Sequence, residues 1–193
     1  MLHLQTYLIK EHVGMFKLVD AYDIFDPAGG DQVGVAKEEP SGFMKFLRLF
    51  MSKRALPTKV VVYEKGGDRA FSIERGFTLL RSKVFVRDRD HKVIGFFKSK
   101  LLSLGGGFWV YDADGKQFAE VRGDWKGWNF KFLTSDGQEL GTVAKKWAGL
   151  AKELFTSADN YVIALNDDVD EREGGNMLLL AAGLAIDIIY KEH

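Results

Sequence analysis

The chain of 193 residues contains no cysteine and only three prolines. Lack of cysteine removes disulfides, thiolate metal sites, cysteine nucleophiles and palmitoyl anchors, and makes a reducing, cytoplasmic compartment the default expectation. Charge of either sign is not in excess. Lys plus Arg equals Asp plus Glu at 27 each, so any basic binding surface must be local. The N-terminal MLHLQTYLIKEH lacks the basic-then-apolar order of a secretory signal. Leu2 excludes N-myristoylation, and the KEH ending carries no prenylation box. Catalytic signatures are missing as well: no nucleophile elbow, no phosphate loop and no HExxH zinc motif. His3, His12, His91 and His193 are scattered without ligand spacing. The expectation is a protein that is not an enzyme.

What is present is a repeated pattern. VFVRDRDHKVIGFF from Val84, FWVYDADGKQFAEV from Phe108 and KFLTSDGQELGTV from Lys131 align with one another, and YDIFDPAGGDQVGVAKEE near the start is a fourth copy. Each is an alternating strand, an acidic turn and a second strand opening on a small residue: Gly95, Ala119, Gly141 and Gly34. Asp114–Gly115 and Asp136–Gly137 predict two-residue hairpin turns with positive φ at both central residues. Further strands are predicted at 58–63, 69–74, 77–82 and 160–165, on the order of ten to twelve in all. No linker divides the chain, so one domain over 1–193 is expected.

Two segments read as helices. In 41–56, Ser41 is the predicted N-cap, Pro57 the stop, and Phe43, Phe46, Leu47 and Phe50 form one apolar face. Lys45, Arg48, Lys53 and Arg54, backed by Lys59, are the candidate contacts for anionic phospholipid or another acidic partner. A solvated helix whose phenylalanines pack on the barrel is the competing reading.

The second helix is the apolar run Met177 to Tyr190, broken only by Asp187. Its 14 residues would extend about 21 Å, short of the roughly 30 Å of bilayer hydrocarbon. Being apolar all round it must be enclosed, and Ala181, Ala182, Gly183 and Ala185 make its middle thin enough for strands to surround it. Asn176 is the predicted N-cap, and Asp187 is expected to pair with Lys191 where the helix leaves the core. The fold class predicted is mainly β: an antiparallel barrel of about twelve strands enclosing a C-terminal hydrophobic helix, plus one short amphipathic helix. Trp109, Trp125, Trp128 and Trp147 are expected to fill the core or cover the helix ends.

GTVAKKWAGLAKELFTSADNYVIAL at 141–165, followed by MLLLAAGLAIDIIY, resembles the phospholipid scramblase family and, more distantly, tubby C-terminal-like and LURP-one-related proteins. The resemblance rests on Lys146–Trp147, Gly149–Leu150, ELFT at 153–156, Ala158–Asp159 with Tyr161, and the Leu-Ala-Ile-Asp ending at 184–187. It implies a twelve-stranded barrel around a C-terminal helix. It also implies calcium as a cofactor, with ligand positions at Ser157, Asp159 and Asp168 and Asp170 close by; the first is serine here. The function expected is peripheral association with anionic phospholipid membranes by a protein that stays soluble without detergent. The alternative is a soluble module that binds protein or, less favoured, nucleic acid.

Overall fold

The computed structural model describes residues 1–12, 21–47, 50, 56–77, 83–100, 107–124, 126–145, 160–169 and 174–187, with backbone alone for Lys45 and Asp168. Alternating apolar and polar residues form twelve strands. These are β1 Thr6–Glu11, β2 Ala21–Phe25, β3 Gln32–Glu38, β4 Thr58–Glu64, β5 Arg69–Arg75 and β6 Lys83–Asp88. The second half is β7 Val93–Ser99, β8 Gly107–Asp112, β9 Gln117–Asp124, β10 Asn129–Leu133, β11 Glu139–Ala144 and β12 Tyr161–Leu165. Each strand pairs antiparallel with the next in sequence, and β1 pairs with β12, Tyr7 opposite Ile163, to close the barrel.

One predicted strand, 77–82, falls almost wholly outside the described residues. Of it only Phe77 is described, as coil. The twelfth strand comes from the N-terminus, where TYLIKE has three successive buried residues and therefore no clean alternation.

The repeat of small residues has a packing cause. A Cβ on Gly34, Gly95 or Gly141 would come within 2.6, 2.4 and 2.3 Å of a carbonyl oxygen of the neighbouring strand. Gly34, Gly95, Ala119 and Gly141 each face the last residue before a register shift: Ile24, Val86, Val110 and Phe132.

The turns differ from the two-residue type predicted. Gly115 and Gly137 have φ of 82° and 89°, whereas Asp114 and Asp136 are not in the left-handed region. Each hairpin is a longer turn with a single left-handed residue next to the bulge. The side-chain acceptors lie two positions before Asp90, Asp114 and Asp136: Asp88 and Asp112 Oδ1 take the Lys92 and Lys116 amides at 2.9 and 2.8 Å, and Thr134 Oγ1 takes that of Gln138 at 2.9 Å. Where the glycine is missing, His91 occupies the slot at φ 64°.

Inside the barrel lies α2, Gly175–Ala185, of whose eleven residues only Met177 is not fully buried. Tyr7, Ile9, Ile24, Phe71, Phe97, Phe108, Phe130 and Ile163 converge around it from the wall. The helix N-cap is Gly174, at φ 73°, and Asn176 sits inside the first turn with its amide turned to the Leu2 carbonyl at 3.5 Å. Asn176 is thus not the cap, because the left-handed turn into the helix requires glycine. Nor does Asp187 mark an exit into solvent: it is 3% exposed, and Lys191 lies outside the described residues. Burial, the charge of Asp187 and that of Glu11 together raise the Tyr161 hydroxyl well above the ordinary tyrosine range. A Cβ on Gly175 would meet Val169 and Phe118 and one on Gly183 would meet Ile163, so α2 runs from the end where β9 begins toward the rim where β1 ends and β12 begins.

Antiparallel order sorts the connections into two rims. Those after β1, β3, β5, β7, β9 and β11 share one end with the C-terminus of α2; we call this the loop rim. The short hairpin turns share the other end with Met1, Leu2 and Leu4, which pack against the core there. Outward-facing wall positions carry ion pairs, Glu74 with Arg87 at 3.0 Å and Lys59 at 3.7 Å and Lys131 with Glu139 at 2.7 Å, beside an aromatic row of Phe85, Phe96 and Tyr111 flanked by lysines. Such a wall is not the apolar belt of a barrel that faces lipid along its length.

Candidate functional site

The loop rim carries α1, Gly42–Leu47, in the connection between β3 and β4. Ser41 caps it as the sequence predicts, its Oγ accepting the Met44 amide at 3.3 Å. The helix does not lay its aromatic face on the barrel. Phe43, Phe46 and Phe50 are 64%, 57% and 74% exposed, and the rings of Phe46 and Phe50 lie 5.2 Å apart. Phe77, in the next connection along this rim, is 60% exposed. Apolar groups of this size normally turn inward, and a cluster of them on one end of a molecule marks an interaction surface.

Beneath α1 a groove of about 540 Å³ runs down to the wall, lined by Met44, Pro57, Lys59, Arg75 and Phe85 among others. Arg75 is 7% exposed and its guanidinium donates to Thr58 Oγ1 at 3.1 Å and to the Leu56 carbonyl at 3.5 Å. Lys59 stands half-exposed over the same groove. The rim thus combines projecting aromatic rings with cationic side chains set behind them.

Part of the predicted lipid-contact set can be placed. Lys45 lies on α1, while Arg48, Lys53 and Arg54 lie outside the described residues. Sequence reasoning missed Phe77, which read as part of a strand, and Arg75, which fell just past the predicted strand 69–74. A phenylalanine straight after a strand-ending glycine was the available signal.

Of the calcium positions, Asp168 belongs to a single 3₁₀ turn, Asp167–Val169, while Ser157, Asp159 and Asp170 lie outside the described residues. β12 separates Asn160 at the loop rim from Asp168 at the turn rim, a strand length of about 17 Å at roughly 3.3 Å per residue. Among the described residues no group of three or more His, Asp or Glu gathers as a metal site.

Two of the four tryptophans are placed. Trp128 is buried at the loop rim against Tyr161, 5.0 Å between rings. Trp109 faces outward beneath the Lys100 ammonium, 4.1 Å from its ring centre. Lys100 also pairs with the Glu120 carboxylate, which Arg122 grips through Nε at 2.9 Å and Nη2 at 3.1 Å. Burial pushes the Glu120 pKa up, but these two cations outweigh it and hold the carboxyl below the ordinary glutamate value. Trp125 and Trp147 lie outside the described residues.

Fold and rim together define a helix-filled β-barrel with exposed aromatic rings and cationic side chains at one end. The scramblase family model matches residues 6–193, and the chain belongs to that family. It is 24% identical over 194 residues to a phospholipid scramblase family protein of Schizosaccharomyces pombe, covering 92% of this chain and 49% of that protein. The chain therefore spans about half the length of that curated relative. No solved structure matches it.

Proposed function

We propose that this domain associates peripherally with anionic phospholipid membranes through the α1 end of its barrel and does so without catalysing covalent chemistry. The observation that carries the reading is the exposure of Phe43, Phe46, Phe50 and Phe77 on one rim. Burying a phenylalanine from water contributes about 1.5–3 kcal/mol. A basic residue near an anionic surface adds about 1 kcal/mol. Two or three inserted rings with Lys59 behind them therefore suffice for reversible micromolar binding, without a lipid anchor.

The same geometry argues against a spanning role for α2. No helix among the described residues is long and apolar enough to cross a membrane, and α2 is occupied as the barrel's core. Lipid contact is assigned instead to the rim.

Co-sedimentation with phosphatidylserine-containing and pure phosphatidylcholine vesicles, with and without calcium, tests the proposal. Binding is expected at low salt to the anionic vesicles, with at least a tenfold loss for the Phe43→Ser/Phe46→Ser/Phe50→Ser variant. Because those rings are exposed, the thermal midpoint should move little. No binding under any of these conditions would remove the membrane reading and leave the protein-partner alternative.

A further inference from the structure

The barrel is polarised along its axis. Among the described residues, the six connections at the loop rim contain four lysines, Lys45, Lys100, Lys126 and Lys145, against one acid, Glu39. Among the described residues, the five hairpin turns and the segment 166–169 at the turn rim contain eight Asp against four Lys and Arg. The described connections of a chain with no net charge are thus positive at one end and negative at the other. Aromatic residues follow the same division. Among the described residues, Phe43, Phe46, Phe50, Phe77 and Trp128 fall in loop-rim connections, and the turn-rim segments hold no aromatic residue.

The spacing of the rims gives this polarity an effect that the net charge hides. Strands of five to eight residues separate the rims by roughly 20 Å. The screening length at physiological ionic strength is about 8 Å. An anionic surface touching one rim is therefore screened from the other. Lying on its side, the molecule would bring both rims near the surface and cancel most of the attraction. Standing on its loop rim, it meets the surface with cations and aromatic rings and holds its acidic turns in water.

We propose that the domain docks end-on, with the whole loop rim facing the anionic bilayer and the α2 axis near the membrane normal. This deepens the membrane reading above and rests on it. It predicts that residues far around the rim from α1 also meet lipid. The β9–β10 connection lies six strands from the β3–β4 connection in a ring of twelve, on the opposite side of the barrel. Lys126, exposed in that connection, is the discriminating residue.

The cysteine-free chain allows single labels without background. Phe77→Cys and Lys126→Cys mark the loop rim, and Asp90→Cys and Asp114→Cys mark the turn rim, each carrying an environment-sensitive fluorophore. On phosphatidylserine-containing vesicles with nitroxide-labelled lipid, labels at 77 and 126 should shift blue and be quenched, while those at 90 and 114 should not change. In parallel, Lys126→Glu should weaken vesicle binding about fivefold or more, and Asp114→Lys should leave it within twofold. Vesicle binding with no lipid contact at 126, or with quenching at 90 or 114, overturns end-on docking and leaves peripheral binding intact. Failure of the unlabelled protein to bind any vesicle overturns both.

Discussion

Enclosure of α2 can be tested at one methyl group. A Cβ added to Gly183 would lie 2.5 Å from Ile163 Cδ1, 2.9 Å from its Cγ1 and 3.3 Å from its Cγ2. Ile163 is fully buried on β12 and branched at Cβ, so it has little freedom to turn away. In an exposed helix Gly→Ala stabilises by about 1 kcal/mol. Overpacking of a filled core costs about 1–3 kcal/mol. The second term should exceed the first, leaving Gly183→Ala less stable by about 1 kcal/mol. Ile163→Val removes the nearest of those atoms and alone should cost about 0.5–1.5 kcal/mol. Combined with Gly183→Ala, that cost should vanish, a coupling of about 1 kcal/mol between residues in contact. Urea unfolding of the four proteins measures the cycle. A more stable Gly183→Ala, with additive effects, would show that the wall does not clasp the helix, and the argument against a spanning α2 would lose its footing.

Two further outcomes are expected. Glu120 has its pKa depressed in the folded state, so its ion pairs stabilise the protein above the ordinary glutamate value near 4.5 and that contribution is lost as pH falls through the folded value. Glu120→Gln should therefore cost about 1–2 kcal/mol at neutral pH and progressively less below pH about 4.5, read from urea midpoints at each pH; a penalty that does not change with pH would contradict this. His91→Gly should raise stability by about 0.5–1 kcal/mol, since a left-handed residue is held where the equivalent turns use Gly115 and Gly137. A lower melting temperature would mean that the His91 contact with Arg69, 2.9 Å, outweighs the backbone gain.

The hairpins were legible because their determinants are local. Alternation with period two, a turn every dozen residues and a small residue facing each bulge all lie within one short segment. The enclosed helix was legible from amount alone, since fourteen nearly continuous apolar residues leave no polar face to point at water. Its cap was misread because Asn176 has good capping chemistry and the backbone demanded a left-handed residue at Gly174 instead.

Three things were decided only by the tertiary structure. Closure pairs β1 with β12 across most of the chain, and no local pattern in TYLIKE announces a partner so distant. The phenylalanines of α1 form an apolar face in either environment, so periodicity could not say whether that face meets the barrel or the solvent; the fold leaves it outside. Finally, 27 charges of each sign average to nothing along the sequence. Folding the chain into twelve antiparallel strands sends alternate connections to opposite ends, and that sorting leaves the described connections basic at one end and acidic at the other.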